Sequence, residues 1–500
     1  GTVAVGYAAL AALTDGQKNI AIGNNAGNEI TTGDKNTVIG FEAGSELKDD
    51  SNNTFLGSYA GFAIESSENT FIGAEAGYGV QGTTVGSQNT AIGYRTMYSH
   101  TTANKNVAVG DQALQTITTG NSNVSIGMRA SQYNTVGSST VHIGTEAGRY
   151  ATGSQNTFVG TNAGKGGTTS APYSSGQYNT AVGYQALKVF TTGNYNVAMG
   201  YNAGDAITTG ANNTCIGSFA GSALTTKSYN TLVGQGAGAA LSGGDGNNNI
   251  LGYGAGGQQT SGYQTTAIGS LAWYGVAGTN NSNYGTYVGN SAGQSVTTGD
   301  YNVMIGHKAG KDSDPNNCIF IGNYASASVA NTSHEIIIGS GTDYGTGFHG
   351  GGTETIRIGR ASDFITNDFG ENATWTHSSD KRIKKDIEDN TLGLEFINKL
   401  KTRTFKKKAP SEYPTEFDGY DAEVTERKNP NRKHYGFVAQ EVKEAMDSVG
   451  HSEFPVWKEN PDGMQELGET ELITPLIKAV QELTKKVEEQ QKEIDKLKKQ

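Results

Sequence analysis

The densest run of residues able to do covalent chemistry is His377-Ser378-Ser379-Asp380-Lys381-Arg382-Ile383-Lys384-Lys385. A serine hydroxyl becomes a useful nucleophile only beside a base. A lysine can be that base when burial or neighbouring cations favour its neutral form, and Lys381, Arg382 and Lys385 crowd Lys384. On residue type alone, Ser378 and Ser379 are rival nucleophiles, and His377 and Lys384 are rival bases. An isolated Ser-Asp-x-Arg-x-Lys run is most often just a solvated basic turn.

Other residues suggest other chemistry. Glycan hydrolysis needs two carboxylates flanking a groove. The candidates, Asp49-Asp50 and Asp312/Asp314, fall in turns between repeats, where solvated loops are expected. Tyr94, Tyr98 and Tyr201 could stack on sugars, although tyrosine also fits any β surface. Cys215 and Cys318 lie in different repeats and at different repeat positions, so they read as small buried residues rather than a disulfide. No cofactor and no metal site is expected.

The elements that must carry these residues follow from a repeat. One copy is Asn36-Thr37-Val38-Ile39-Gly40-Phe41-Glu42-Ala43-Gly44, another Asn196-Val197-Ala198-Met199-Gly200-Tyr201-Asn202-Ala203-Gly204. Its central glycine occurs 21 times from Gly6 to Gly359, and 12 of the 20 intervals are 17 residues, the others running from 16 to 23. Such a period means a quasi-one-dimensional stack. The pre-glycine residue is apolar in all 21 copies, and the residue two before it is usually Thr, Val or Ile. These two share one strand face, which is read as the core. The residue between them varies from Ala21 to Phe55 and His142, so it is expected to face a less uniform environment.

The central glycine should bend the chain at positive φ. An alanine three residues later, present in 18 of the first 19 copies with Thr96 as the exception, marks a crowded inner corner or a chain-chain contact. Asn stands four before the glycine in 14 of 21 copies and suggests a side-chain hydrogen-bond ladder. A second turn signal, Thr-Thr-Gly, ends at Gly33, Gly120, Gly193, Gly210 and Gly299. The expected shaft is a β-solenoid or β-roll, on the order of 100 Å long at about 4.8 Å per rung. One rung looks too small to enclose a large core, so three chains are expected to share apolar faces. Separate solenoids and an interwound triple β-helix both remain open.

Residues 1–360 hold 64 of the 71 glycines and 34 charged residues, whereas residues 361–500 hold 7 and 51. The expected domains are a repeat shaft over 1–345, a neck over 346–378 and a smaller α+β domain over 379–500. The net charge of −11 argues against nucleic acid or an anionic membrane as partner. No apolar run reaches the about 18 residues of a membrane helix. The chain opens on Gly1 in mid-repeat, which reads as a fragment of a longer protein.

A helix and coiled coil are expected over 472–500. Ile473, Leu476, Val480, Leu483, Val487, Gln490, Ile494 and Leu497 step three and four residues apart, a heptad seam with Gln490 as a register pin. A helix packed only on its own domain is the plainer alternative. Ile and Val mixed with Leu are compatible with a trimer.

Three stretches of the charged region resemble the intramolecular chaperone of phage tailspikes and tail fibres, the peptidase S74 family. They are Ser379-Asp380-Lys381-Arg382-Ile383-Lys384 with Lys385-Asp386-Ile387, Gly393-Leu394-Glu395-Phe396-Ile397-Asn398-Lys399-Leu400 leading to Phe405, and Tyr435-Gly436-Phe437-Val438-Ala439-Gln440-Glu441-Val442. The helix Leu472 to Leu483 follows in the family's order, while Glu469 departs from it where an aromatic residue is expected. The repeats also resemble the β-roll heads of trimeric bacterial adhesins.

The first resemblance implies self-cleavage between Ser378 and Ser379, with Ser379 as nucleophile and Lys384 as base. This would be a serine endopeptidase acting once on its own chain, with no other activity. The implied protein is a homotrimeric phage tail fibre or receptor-binding shaft, in the virion and assembled in the host cytoplasm. Long parallel stacks fold slowly and expose edges. A C-terminal trimer would align three chains, and its release would leave a kinetically trapped fibre. Expected partners are two further copies, a host-surface glycan or protein receptor and upstream virion attachment proteins, without nucleic acid or membrane insertion. The alternatives are a bacterial trimeric adhesin, which would need a membrane anchor, and a glycan-degrading tailspike.

Overall fold

The computed structural model describes residues 1–500 apart from 277–279, 342–346, 361–362, 369–371, 378, 418–419, 428–429, 461–462 and 500, and apart from the side chains of 363 and 372–377. The chain forms two compact units, Gly1–Ser378 and Ser379–Gln500.

The first unit is a β-solenoid in which one chain stacks on itself. Short parallel strands from Val3–Val5 to Thr355–Arg360 pair each with the next in strict register, as in Val197↔Thr214, Ala198↔Cys215 and Met199↔Ile216. Repeats of unequal length keep this register because the extra residues lie in the turns. Thr157 pairs with Thr180 across the longest interval. After Arg360 the sheet continues as antiparallel strands Asp363–Asp368 and Asn372–His377.

Two devices hold each turn to the next. Gly217 has φ +128°, and a Cβ there would stand 2.5 Å from the carbonyl oxygen of Gly234 one turn on, so only glycine fits. The asparagines form the expected ladder. Asn196 Oδ1 accepts from Asn213 N–H at 3.1 Å and from Asn213 Nδ2 at 3.1 Å, and Asn196 Nδ2 donates to Gly210 O at 2.9 Å. These asparagines are buried, and the ladder satisfies backbone groups that have no other partner.

The strand faces are the reverse of the expected assignment. The central residue of each strand is interior: Ala21, Phe55, Cys215 and Leu232 are 0% exposed. The uniformly apolar pre-glycine position points outward, with Ile22 at 39%, Leu56 at 45% and Ile216 at 37% exposure. The interior also receives the alanine three residues after the glycine and a third position seven after it, such as Ile30, Leu47, Ile207 and Leu224. One turn therefore encloses a core of its own, contrary to the expectation that a single rung is too small. Size can vary at the central position because the other inward side chains share the filling.

The apolar interior is interrupted once among the described residues. One buried cluster ends at Ile117 and the next begins at Ala147. Between them Ser125 Oγ, Ser131 Oγ and His142 Nδ1 form a buried chain with spacings of 2.7 and 2.6 Å.

The second unit is built on three helices, α1 (Leu394–Lys399), α2 (Ala439–Ser448) and α3 (Ile473–Leu497), with two small antiparallel strand pairs. Leu392, Phe396, Val442, Met446, Val456 and Leu472 form its core. α3 is held to its own domain by one side: Pro475 and Ala479 are buried, and Glu482 Oε2 accepts from Leu394 N–H at 2.8 Å. The heptad residues stay outside that contact, with Leu476, Val480, Leu483 and Val487 between 50 and 55% exposed.

Candidate functional site

Residues Ser379 to Asp389 form an exposed arm at the start of the second unit. Its only regular element is a single helical turn, Lys381–Ile383. Asp380 caps that turn, its Oδ1 accepting from Arg382 N–H at 2.8 Å, and its carboxylate also holds the Arg382 guanidinium at 2.6 to 3.1 Å. Those hydrogen bonds hold the Asp380 carboxyl below the ordinary carboxylate range. Lys384 N–H closes the turn on Lys381 O at 3.1 Å.

The turn carries Lys384 back to the serine that precedes it. Lys384 Nζ donates to Ser379 Oγ at 2.7 Å. With a neutral amine the same contact would reverse, the hydroxyl donating and the nitrogen accepting, which is the geometry a general base needs. Of the rival groups, Ser378 and the His377 side chain lie outside the described residues. The peptide expected to be cut is therefore outside them as well.

At the Leu400 end of α1 the unit has an apolar groove of about 310 Å³, lined by Ile397, Leu400, Phe437, Leu472 and Leu476, with Glu469 at its rim. Glu469 Oε1 would stand 3.0 Å from a Cβ added at Gly436. Glu469 thus sets a carboxylate beside Gly436 at this groove.

Residues 379–451 match the family described as "Chaperone of endosialidase", peptidase S74. No curated protein and no solved structure matches the chain. The chaperone match, following a solenoid of about 21 turns in sequence, supports a protein of tail fibre or tailspike type with a C-terminal chaperone domain. Among the described residues, no helix is long and apolar enough to cross a membrane.

The other candidates have structural work in the solenoid. Asp49 accepts from the hydroxyls of Thr31 and Thr32 at 2.6 and 2.7 Å. Asp314 accepts from Thr297, Thr298 and Gly299 N–H at 2.8 to 3.0 Å. Both carboxylates staple one turn to the next. Cys215 and Cys318 are free and buried, and burial pushes their thiols up to about 12 and about 11, so neither is a reactive thiolate. Tyr201 stacks with Tyr184 at 5.4 Å and meets Phe219 edge-on at 5.2 Å. Tyr98 stacks on Tyr78 at 4.9 Å, and the Arg95 guanidinium lies 5.1 Å from the Tyr94 ring. The tyrosines thus continue from turn to turn as outer-surface ladders.

Sequence reading missed the inward position seven residues after the glycine, although its apolar character recurs at Ile30, Leu47, Ile64, Ile207, Leu224 and Leu241. It also missed the Ser125–Ser131–His142 chain, whose two serines share one turn and meet His142 only through the stacking of the next.

Proposed function

We infer that the chain is one subunit of a homotrimeric phage tail fibre, folded on its C-terminal domain and then cut free of it. The supporting observation is the outward apolar stripe. A Val, Ile, Leu or Met precedes every central glycine, and these side chains stand exposed turn after turn, as at Ile126, Ile216, Ile268 and Ile305. A continuous apolar face of this size is a contact surface rather than a free one. Its partner must present the same spacing over the same length, and another copy in parallel register does so. The exposed seam of α3 supplies a second such surface at the other unit.

The proposed cleavage is an acyl shift followed by hydrolysis. Lys384 as neutral amine takes the proton of Ser379 Oγ, and the oxygen attacks the carbonyl carbon of Ser378. The bond to Ser379 N breaks as the ester forms, and the nitrogen takes the proton from Lys384. Water then hydrolyses the ester, leaving the Ser378 carboxylate and a free Ser379 with its amine. The short Lys384–Ser379 contact supports these roles. Host attachment through the shaft is part of the same reading, with a surface glycan or protein as receptor.

Light scattering together with intact mass tests the whole reading. A trimer and a fragment starting at Ser379 are expected. A monomer at micromolar concentration would overturn the assembly, and an uncut, well-folded trimer would overturn the cleavage.

A further inference from the structure

The Ser379–Asp389 arm keeps two large apolar side chains in water, Ile383 at 65% and Ile387 at 60% exposure, among Lys381, Arg382, Lys384 and Lys385. The groove of the same unit has the complementary character. Ile397, Leu400, Phe437 and Leu472 line it, and Glu469, which among the described residues makes no ion pair, stands at the rim. Glu471 adds a second exposed carboxylate close by. The arm joins α1 at its Leu394 end, where Glu482 holds the Leu394 N–H, whereas the groove opens at the Leu400 end of α1 and the Ile473 end of α3. Ile473 and Leu476 belong both to the groove wall and to the exposed heptad seam, so a neighbour held on the seam comes to lie beside the groove.

We propose that the arm of one copy docks in the groove of the next, with Ile383 and Ile387 entering between α1 and α3 and the flanking cations meeting Glu469. This rests on the homotrimer reading. Lys384 lies between the two isoleucines, so docking would strip water from its ammonium and favour the neutral amine that can take the Ser379 proton. Cleavage would then wait for assembly, because a second copy supplies the groove.

The test uses full-length chains carrying Ser379→Ala, so that the arm stays attached. One variant adds Ile387→Cys, the other Ile397→Cys, and the two are coexpressed and mildly oxidised; native Cys215 and Cys318 are buried. A disulfide joining two chains of different type is the expected result. If a chain bearing both cysteines instead closes the bond within itself, and mixed trimers show none between chains, docking between copies is overturned while the trimer stands. A monomer in light scattering overturns both. In chains with Ser379 intact, Ile387→Asp should leave the trimer and lower fragment yield by roughly tenfold or more. Lys385→Glu and Glu469→Lys should each impair cleavage, and together restore it. Unchanged cleavage in an Ile387→Asp trimer overturns the proposal. If wild-type trimers never cleave, the cleavage reading fails and the crosslink alone decides the docking.

Discussion

Lys384 Nζ lies 2.7 Å from Ser379 Oγ, although the two are five positions apart in sequence and both side chains are exposed. The turn capped by Asp380 makes that contact local, so it needs no distant part of the fold. Ser379→Ala and Lys384→Ala should therefore leave the chain whole while the trimer still forms. N-terminal sequencing of the wild-type fragment should read from Ser379. Any other start refutes Ser379 as nucleophile. Gly436→Asp sets a second carboxylate beside the flexible, exposed end of Glu469, so the domain should still fold, with a loss of stability that a denaturant titration reads as small.

Cys215 and Ile216 are neighbours with opposite roles, the first interior and the second on the outer stripe. Cys215→Asp would bury an unpaired charge inside a turn and should unfold the solenoid locally, at a cost of several kcal/mol. Ile216→Asp should leave the single-chain fold intact and block trimer assembly. Asn212→Asp, at an exposed turn position with φ 56°, should be tolerated in both respects. Far-UV circular dichroism with light scattering separates the three outcomes. A trimeric Ile216→Asp protein would remove the stripe as the contact.

The asparagine ladder predicts a graded loss. Asn196→Leu leaves Asn213 N–H and the carbonyl of Gly210 without their partners. Each buried group so orphaned costs about 1–3 kcal/mol. The midpoint of thermal unfolding should fall measurably below wild type, and an unchanged midpoint would show that the ladder is not a stabilising element.

Acid should weaken the shaft. His142 and His100 are fully buried, and burial lowers them from 6.5 to about 3 and about 4. Unfolding frees both rings to protonate, so their contribution to stability is whole above pH 6.5. It is lost as pH falls towards 4 and then 3, at roughly 1.4 kcal/mol per pH unit for each ring. Denaturant titrations between pH 7 and 4 should show this slope. His142→Phe, matching Phe55, Phe71 and Phe158 at the same inward place, should roughly halve it, leaving the His100 part, while Ser125 and Ser131 keep their mutual bond. An equal slope in that variant would assign the acid sensitivity elsewhere.

Much of this protein is written in local spacing. The period of the glycine, the asparagine ladder and the bend at Gly217 follow from the sequence, because each arises where identical residues stack one turn apart. The helix from Ile473 to Leu497 was legible from the three- and four-residue spacing of its apolar stripe. The choice of strand face was not. Alternation establishes that Cys215 and Ile216 point opposite ways, but both sides are apolar, and only the closing of each turn decides which side the chain encloses for itself. The Ser125–Ser131–His142 chain and the groove beside Glu469 were hidden likewise, since their members come from separate turns or helices. Local periodicity determined the ladder and the strands; tertiary closure decided what is inside and which apolar side chains are left outside.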